Sequence, residues 1–179
     1  MDVLEQPTEL LERFAHGDLE AFETLFRQFQ GDVYRWVVRI VRDPGVAEDL
    51  TIEAFWRIHR AHARFDPQRS FGAWARRIAT NVALDHLKTA RPETALVQDF
   101  PAAGTLNPGV QRDIREQTAR SFRQLPAKLQ VAATLALVEE QPYQEIADAL
   151  GISLGAVKLR VFRAIRLLRK KLKQQGIEP

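Results

Sequence analysis

The sequence predicts an all-α protein, with two helical domains joined by a flexible linker. Three observations predict it. Apolar residues recur with helical period along most of the 179-residue chain. Residues 143–173 read as a short helix, a glycine turn and a longer basic helix. Between the halves, residues 92–109 hold three prolines and two glycines and show no period. The expected division is a domain at 1–91, a linker at 92–109 and a domain at 110–179.

The elements follow in order. Pro7 suits the first turn of a short helix carrying Leu10, Leu11 and Phe14. His16-Gly17-Asp18 stops it and caps the next. Phe22, Leu25, Phe26, Phe29, Val33, Trp36, Val37 and Ile40 then mark a long amphipathic helix, ended by Asp43-Pro44-Gly45. That aromatic stripe reads as core. A third helix is expected from about Val46 to His62, with Ala47, Leu50, Ala54, Ile58 and Ala61 facing inward. Arg64–Arg69 is a loop punctuated by Pro67, and Ser70 caps a fourth helix reaching about Lys88. Phe71, Trp74, Ala75, Ile78 and Val82 form its inward face. After the linker come a polar helix near Val110–Arg123 and a break at Leu125-Pro126. A further helix is expected from Ala127 to Glu139. Pro142 then opens the short helix of the helix-turn-helix.

In that last motif, Ile146, Ala147 and Leu150 share a face. Gly151 stands where the chain must turn through left-handed angles, and Ser153 caps the second helix. Val157, Val161, Ala164, Ile165, Leu168 and Leu172 recur on one face of that helix. Eight cations (Lys158, Arg160, Arg163, Arg166, Arg169, Lys170, Lys171 and Lys173) and no acid lie between Gly151 and Gly176. Such charge density attracts phosphates.

The net charge of +3 hides a segregation. Residues 1–53 carry five Arg and twelve acids, net −7, whereas residues 54–91 and 110–179 each carry net +6. An acidic block followed by two basic blocks implies more than one kind of partner. The chain has no cysteine, which excludes disulfides and thiolate metal sites. No apolar run approaches the roughly eighteen residues of a membrane span, and the N-terminus lacks the basic and apolar regions of a signal peptide. A cytoplasmic protein without membrane insertion is expected.

Two helix faces stand out as candidate surfaces. Glu48, Asp49, Ile52, Glu53 and Trp56 lie together on the third helix, away from its inward face. Acids mixed with a large aliphatic and a tryptophan fit a protein partner. Arg77, Asn81, Asp85 and Lys88 form a stripe on the fourth helix, with Arg76 beside it; together they offer phosphate contacts, donors and acceptors.

These residues bring a resemblance into view. Across about residues 9–173 the chain resembles a bacterial RNA polymerase sigma factor of the extracytoplasmic-function (ECF) type, within the primary sigma family. EIADALGIS-LGAVKLRVFRA resembles the family's region four, which reads the −35 promoter element. AEDLTIEAFWRIHR resembles region 2.2, which docks on the polymerase β′ subunit. FGAWARRIATNVALDHLK resembles regions 2.3 and 2.4, which open and read the −10 element. The resemblance implies core RNA polymerase (β′ and β subunits), promoter DNA and an anti-sigma factor as partners. It implies polymerase contacts at Glu48, Asp49, Ile52, Glu53 and Trp56. It implies −10 contacts at Arg76, Arg77, Asn81, Asp85, Lys88 and the Arg64–Ser70 loop. For the −35 element it implies Ser153, Lys158, Arg160, Phe162, Arg163 and Arg166. Ile52 stands where the family often has Gln, Ala156 replaces the usual Thr, and Leu159 stands where a small polar residue is common.

The alternative is a response-regulator type helix-turn-helix factor that binds duplex DNA without polymerase. Its receiver domain would show alternating strands, which the first 91 residues do not. An enzyme is not expected. His59 and His62 are one turn apart but have no adjacent carboxylate to complete a metal set, and no phosphate loop or nucleophile motif is present. No cofactor is expected.

Overall fold

The structure, a computed structural model, describes residues 7–89 and 108–177. The described residues form helices and no strand. In order they are α1 (Thr8–Ala15), α2 (Leu19–Val41), α3 (Pro44–Arg60), a 3-10 turn at His62–Arg64, α4 (Phe71–Thr89), α5 (Pro108–Arg123), α6 (Ala127–Ala133), a π turn at Thr134–Val138, α7 (Tyr143–Leu150) and α8 (Leu154–Gln174). They fall into two compact units: Met1–Ala83 with Asp148–Gly151, and Leu84–Ala147 with Ile152–Pro179. Most of the expected linker, 92–107, lies outside the described residues.

The helix starts are set by short polar side chains. Asp18 accepts from the Ala21 N–H at 3.0 Å, Asp43 from Val46 at 3.1 Å and Ser70 from Ala73 at 3.3 Å. A hydrogen bond from Arg13, then the Ala21 amide, hold the Asp18 carboxyl below the usual carboxylate range. That cap therefore stays charged at a pH where an isolated aspartate would protonate. Pro44 occupies the first position of α3, where its missing N–H costs nothing. Arg42 ends α2 in the left-handed region, at φ 61°.

In the first unit, α2 packs against α1 and α3. The Phe14 ring is buried among Phe22, Phe65, Phe71 and Trp74, at centroid distances of 6.3, 5.8, 5.3 and 6.1 Å. One side chain of α1 thus joins α2, the loop before α4 and α4 itself. A second tie joins α2 to α4. The buried Trp36 indole donates to Thr80 Oγ1 at 2.9 Å, and the same hydroxyl donates to the Arg76 carbonyl at 2.7 Å.

In the second unit, α8 packs on α5 and α6. Phe122, Leu125, Ala133 and Ala164 form its core, with Leu129 and Leu168 against them. Ser121 Oγ donates to Gln175 Oε1 at 3.2 Å, and Lys171 Nζ donates to Gln124 Oε1 at 2.7 Å.

Three helices differ in their bounds from the sequence reading. α3 runs Pro44–Arg60, two residues earlier at each end than expected, and His62 falls in the 3-10 turn after it. α5 begins at Pro108 rather than Val110, with the proline at its start, where its fixed φ suits a helix. The helix expected from Ala127 to Glu139 stops being α at Ala133. The Glu139 N–H reaches back five residues to the Thr134 carbonyl at 3.0 Å, the Gln141 N–H reaches Leu135 at 2.8 Å, and Glu140 sits at φ 50°. The chain must leave the helix before Pro142, because the residue preceding a proline is disfavoured in the α region.

The Trp36–Thr80 bond makes a prediction. Thr80→Val keeps the volume but leaves the buried indole N–H without its acceptor, at a cost of about 1–3 kcal/mol. Thr80→Ser should restore most of the loss. Urea unfolding of the three proteins measures this; equal midpoints for wild type and Thr80→Val would show that the bond does not hold α4 to α2.

Candidate polymerase and nucleic-acid interfaces

On α3, the buried positions Ala47, Thr51, Ala54, Phe55 and Ile58 face the core. Glu48, Asp49, Ile52, Glu53 and Trp56 are all exposed on the other side, so the structure brings the five predicted residues onto one face. Ile52 is 57% exposed and Trp56 61%, a large apolar surface to leave in water. Glu53 pairs with Arg57, one turn on, at 2.8 Å.

Beside this face runs a groove of about 320 Å³ that the sequence reading missed. Leu19, Phe22, Phe26, Ile52, Phe55, Trp56 and His59 line it. Phe22 and Phe26 were expected in the core, and they are only half-buried walls. Leu19, at the first position of α2, is 59% exposed and joins the candidate face. The only sequence signal was an apolar residue directly after the Asp18 cap, in line with Phe22 and Phe26.

His59 sits edge-on to Phe22, with centroids 4.8 Å apart, and His62 packs against Phe14. Among the described residues no group of three or more His, Cys, Asp or Glu could hold a metal ion. No described helix is long and apolar enough to cross a membrane.

On α4, Arg77, Asn81, Asp85 and Lys88 are exposed along one stripe. Arg76 is half-buried, its guanidinium 5.5 Å from the centre of the Trp36 ring, which fixes its direction. Asp85 and Lys88 pair with each other at 3.0 Å. The Arg64–Ser70 loop is anchored by buried Phe65 and turned by Asp66, which accepts from the Gln68 N–H at 3.0 Å. Arg64 and Arg69 are exposed on it.

The helix-turn-helix forms as expected. Gly151 has φ 62°, and the Ile152 N–H returns to the Ala147 carbonyl at 3.0 Å, a closure that needs the left-handed residue between them. Ser153 caps α8 by accepting from the Ala156 N–H at 3.2 Å. Val157, Val161, Ala164 and Leu172 are buried. Lys158, Phe162, Arg163 and Arg166 are exposed, Arg160 is half-buried, and Phe162 stands 62% exposed, off the packed face. Lys171 is half-buried and donates to Gln124 Oε1.

Comparison with known proteins gives the same order of parts. The sigma-70 region 2 family model matches residues 25–93, and the sigma-70 region 4 model matches residues 115–168. The RNA polymerase sigma-H factor of Pseudomonas aeruginosa is 33% identical over 94% of each chain. The chain belongs to the sigma-70 family, as an ECF-type sigma factor. The ECF sigma-E factor of Escherichia coli is 32% identical over 91% of this chain and 92% of its own. The solved structure of CnrH with the cytosolic domain of CnrY shares the fold, with a TM-score of 0.57 at 22% identity over 93% of this chain and 97% of that one. RpoE from Bartonella quintana, solved with the anti-sigma factor NepR, has a TM-score of 0.50 at 19% identity over 87% and 98%. A match to region 2 in the first half disfavours the response-regulator alternative. The sigma factor is a transcription initiation factor that directs RNA polymerase to promoters.

Ser153 has a structural role and a candidate DNA role, and two substitutions separate them. Ser153→Ala should cost about 1 kcal/mol of stability by removing the cap. Ser153→Asp should keep the cap and the melting temperature, yet weaken promoter binding by placing a negative charge beside phosphate. Calorimetry and promoter titration of the holoenzyme check both; unchanged promoter affinity in Ser153→Asp would remove Ser153 from the DNA face.

Proposed function

We propose that the sigma factor binds core RNA polymerase through the α3 face, with Glu48, Asp49, Ile52, Glu53, Trp56 and the neighbouring Leu19. It reads the −10 element with α4 and the −35 element with α8. The observation that supports this most is the segregation by face: acids surround exposed apolar residues on α3, while cations surround them on α8. Phosphate is repelled by the first and drawn to the second.

Each face then has a definite task. On α3, Ile52 and Trp56 supply the desolvated centre of a protein interface and the carboxylates its polar rim. On α4, a base turned out of the duplex costs a few kcal/mol, which Asn81 offsets by pairing its amide with the exposed base edge. Arg76, Arg77, Lys88 and the loop arginines Arg64 and Arg69 hold the backbone around it. On α8, Lys158 and Arg163 reach base edges from the N-terminal half of the helix, the part that enters a groove. Arg166, Arg169, Lys170 and Lys173 hold phosphates. The protein performs no bond chemistry of its own, and it works where polymerase works, in the cytoplasm. The proposal includes the division at 1–91 and 110–179, and an anti-sigma factor that covers the α3 and α8 faces.

Run-off transcription with core polymerase on genomic fragments tests the whole reading: transcripts should require both proteins. Asp49→Arg with Glu53→Arg should abolish capture of core polymerase while leaving helical content unchanged. Wild-type capture by the double variant would show that the face is misplaced. On the −35 side, Arg163→Ala should cost about 1–3 kcal/mol on the cognate element and less on scrambled DNA. Lys170→Ala should weaken both alike and lower the salt slope by about one. An equal loss on both DNAs for Arg163→Ala would make it a phosphate contact.

A further inference from the structure

α8 leaves two large apolar side chains in water at the centre of its basic surface. Leu159 is 47% exposed and Phe162 62%. Both lie opposite the packed residues Val157, Val161 and Ala164, and within the first three turns after the Ser153 cap. Three positions apart, they are neighbours on the helix surface. Lys158, Arg163 and Arg166 border them, and no acid occurs between Gly151 and Gly176. Single exposed apolar residues are ordinary. A leucine beside a phenylalanine, on a helix whose charged residues are all cations, is a surface for a polyanion that carries an apolar group.

Duplex DNA has one such group on its major-groove base edges, the thymine 5-methyl. A polar residue at 159 would read hydrogen-bond donors or acceptors; leucine reads neither. We propose that Leu159 is a specificity-determining residue that, together with Phe162, reads thymine methyl groups in the −35 element. The inference rests on the assignment of α8 to that element and names what it recognises there. Spacing makes it sharper. Neighbours at i and i+3 have Cβ atoms about 5–6 Å apart, more than one step of roughly 3.4 Å between bases and less than two. The two thymines are therefore adjacent or separated by one base.

The test uses the full chain bound to core polymerase. Promoter duplexes are selected by this holoenzyme from a library randomised across the −35 region. Each dT of the selected element is then replaced by dU, which removes only the methyl. Two positions, adjacent or one apart, should each lose about fourfold in affinity, the factor expected for one buried methyl-sized group. Leu159→Ser should abolish the dU effect at one of them and Phe162→Ala at the other. Both positions are exposed, so melting temperature and capture of core polymerase should stay at wild-type values. Selection of an element without dT, no position sensitive to dU, or full sensitivity retained by Leu159→Ser would each overturn the inference while leaving promoter binding by α8 intact. If the holoenzyme selects no −35 sequence at all, the assignment of α8 fails, and the inference with it.

Discussion

A helix packed on one side can bury only part of its circumference, and the rest of this protein depends on how that limit is met. In the first unit the buried side is organised by Phe14, whose ring gathers aromatic side chains from α2, the loop before α4 and α4. α3 spends its small residues, Ala47 and Ala54, on the core and leaves Ile52 and Trp56 outside. In the second unit α8 buries Val157, Val161 and Ala164 and leaves Leu159 and Phe162 outside. Each helix also buries large apolar side chains, Phe55 and Ile58 on α3 and Leu172 on α8, yet leaves others in water, which folding alone would not favour. On the proposed reading, those exposed side chains are where each face meets another molecule.

Much of this was legible in the sequence. The order of helices, the caps at Asp18, Asp43, Ser70 and Ser153 and the turn at Gly151 all rest on local chemistry, and local chemistry is written residue by residue. The outward faces of α3 and α8 were legible for the same reason. The groove beside α3 was not. Periodicity says which side of α2 carries Phe22 and Phe26, but not how far along that side α3 covers them. The π turn was hidden because Leu129, Ala132, Ala133, Leu135 and Ala136 keep a helical spacing through it. Only the constraint from Pro142 could have signalled an early exit. The bond from Lys171 to Gln124 was not legible, because the two lie 47 residues apart in sequence.

Charge divides the labour between the units in a way that salt will reveal. The α3 face holds its apolar residues between carboxylates, one of them neutralised locally by Arg57. Its attraction to a protein partner combines desolvation with short-range pairing, and screening weakens only the second part. If α8 meets DNA as proposed, its face gains from counterion release at every phosphate it touches. Raising the ionic strength should therefore strip the protein from DNA before it strips it from a protein partner.

The packing of α8 has a mechanical consequence. Its far end carries buried Leu172 and is tied by Lys171 to Gln124, just past α5, and by Gln175 to Ser121 of α5. Leu159 lies thirteen residues before Leu172, a lever of about 20 Å at 1.5 Å per residue. A tilt of about five degrees at the anchor moves Leu159 by nearly 2 Å, roughly half the 3.4 Å step between bases. On the proposed reading, the accuracy with which that end meets DNA depends in part on the opposite end of the helix, on an amide and a hydroxyl that need never touch a nucleotide.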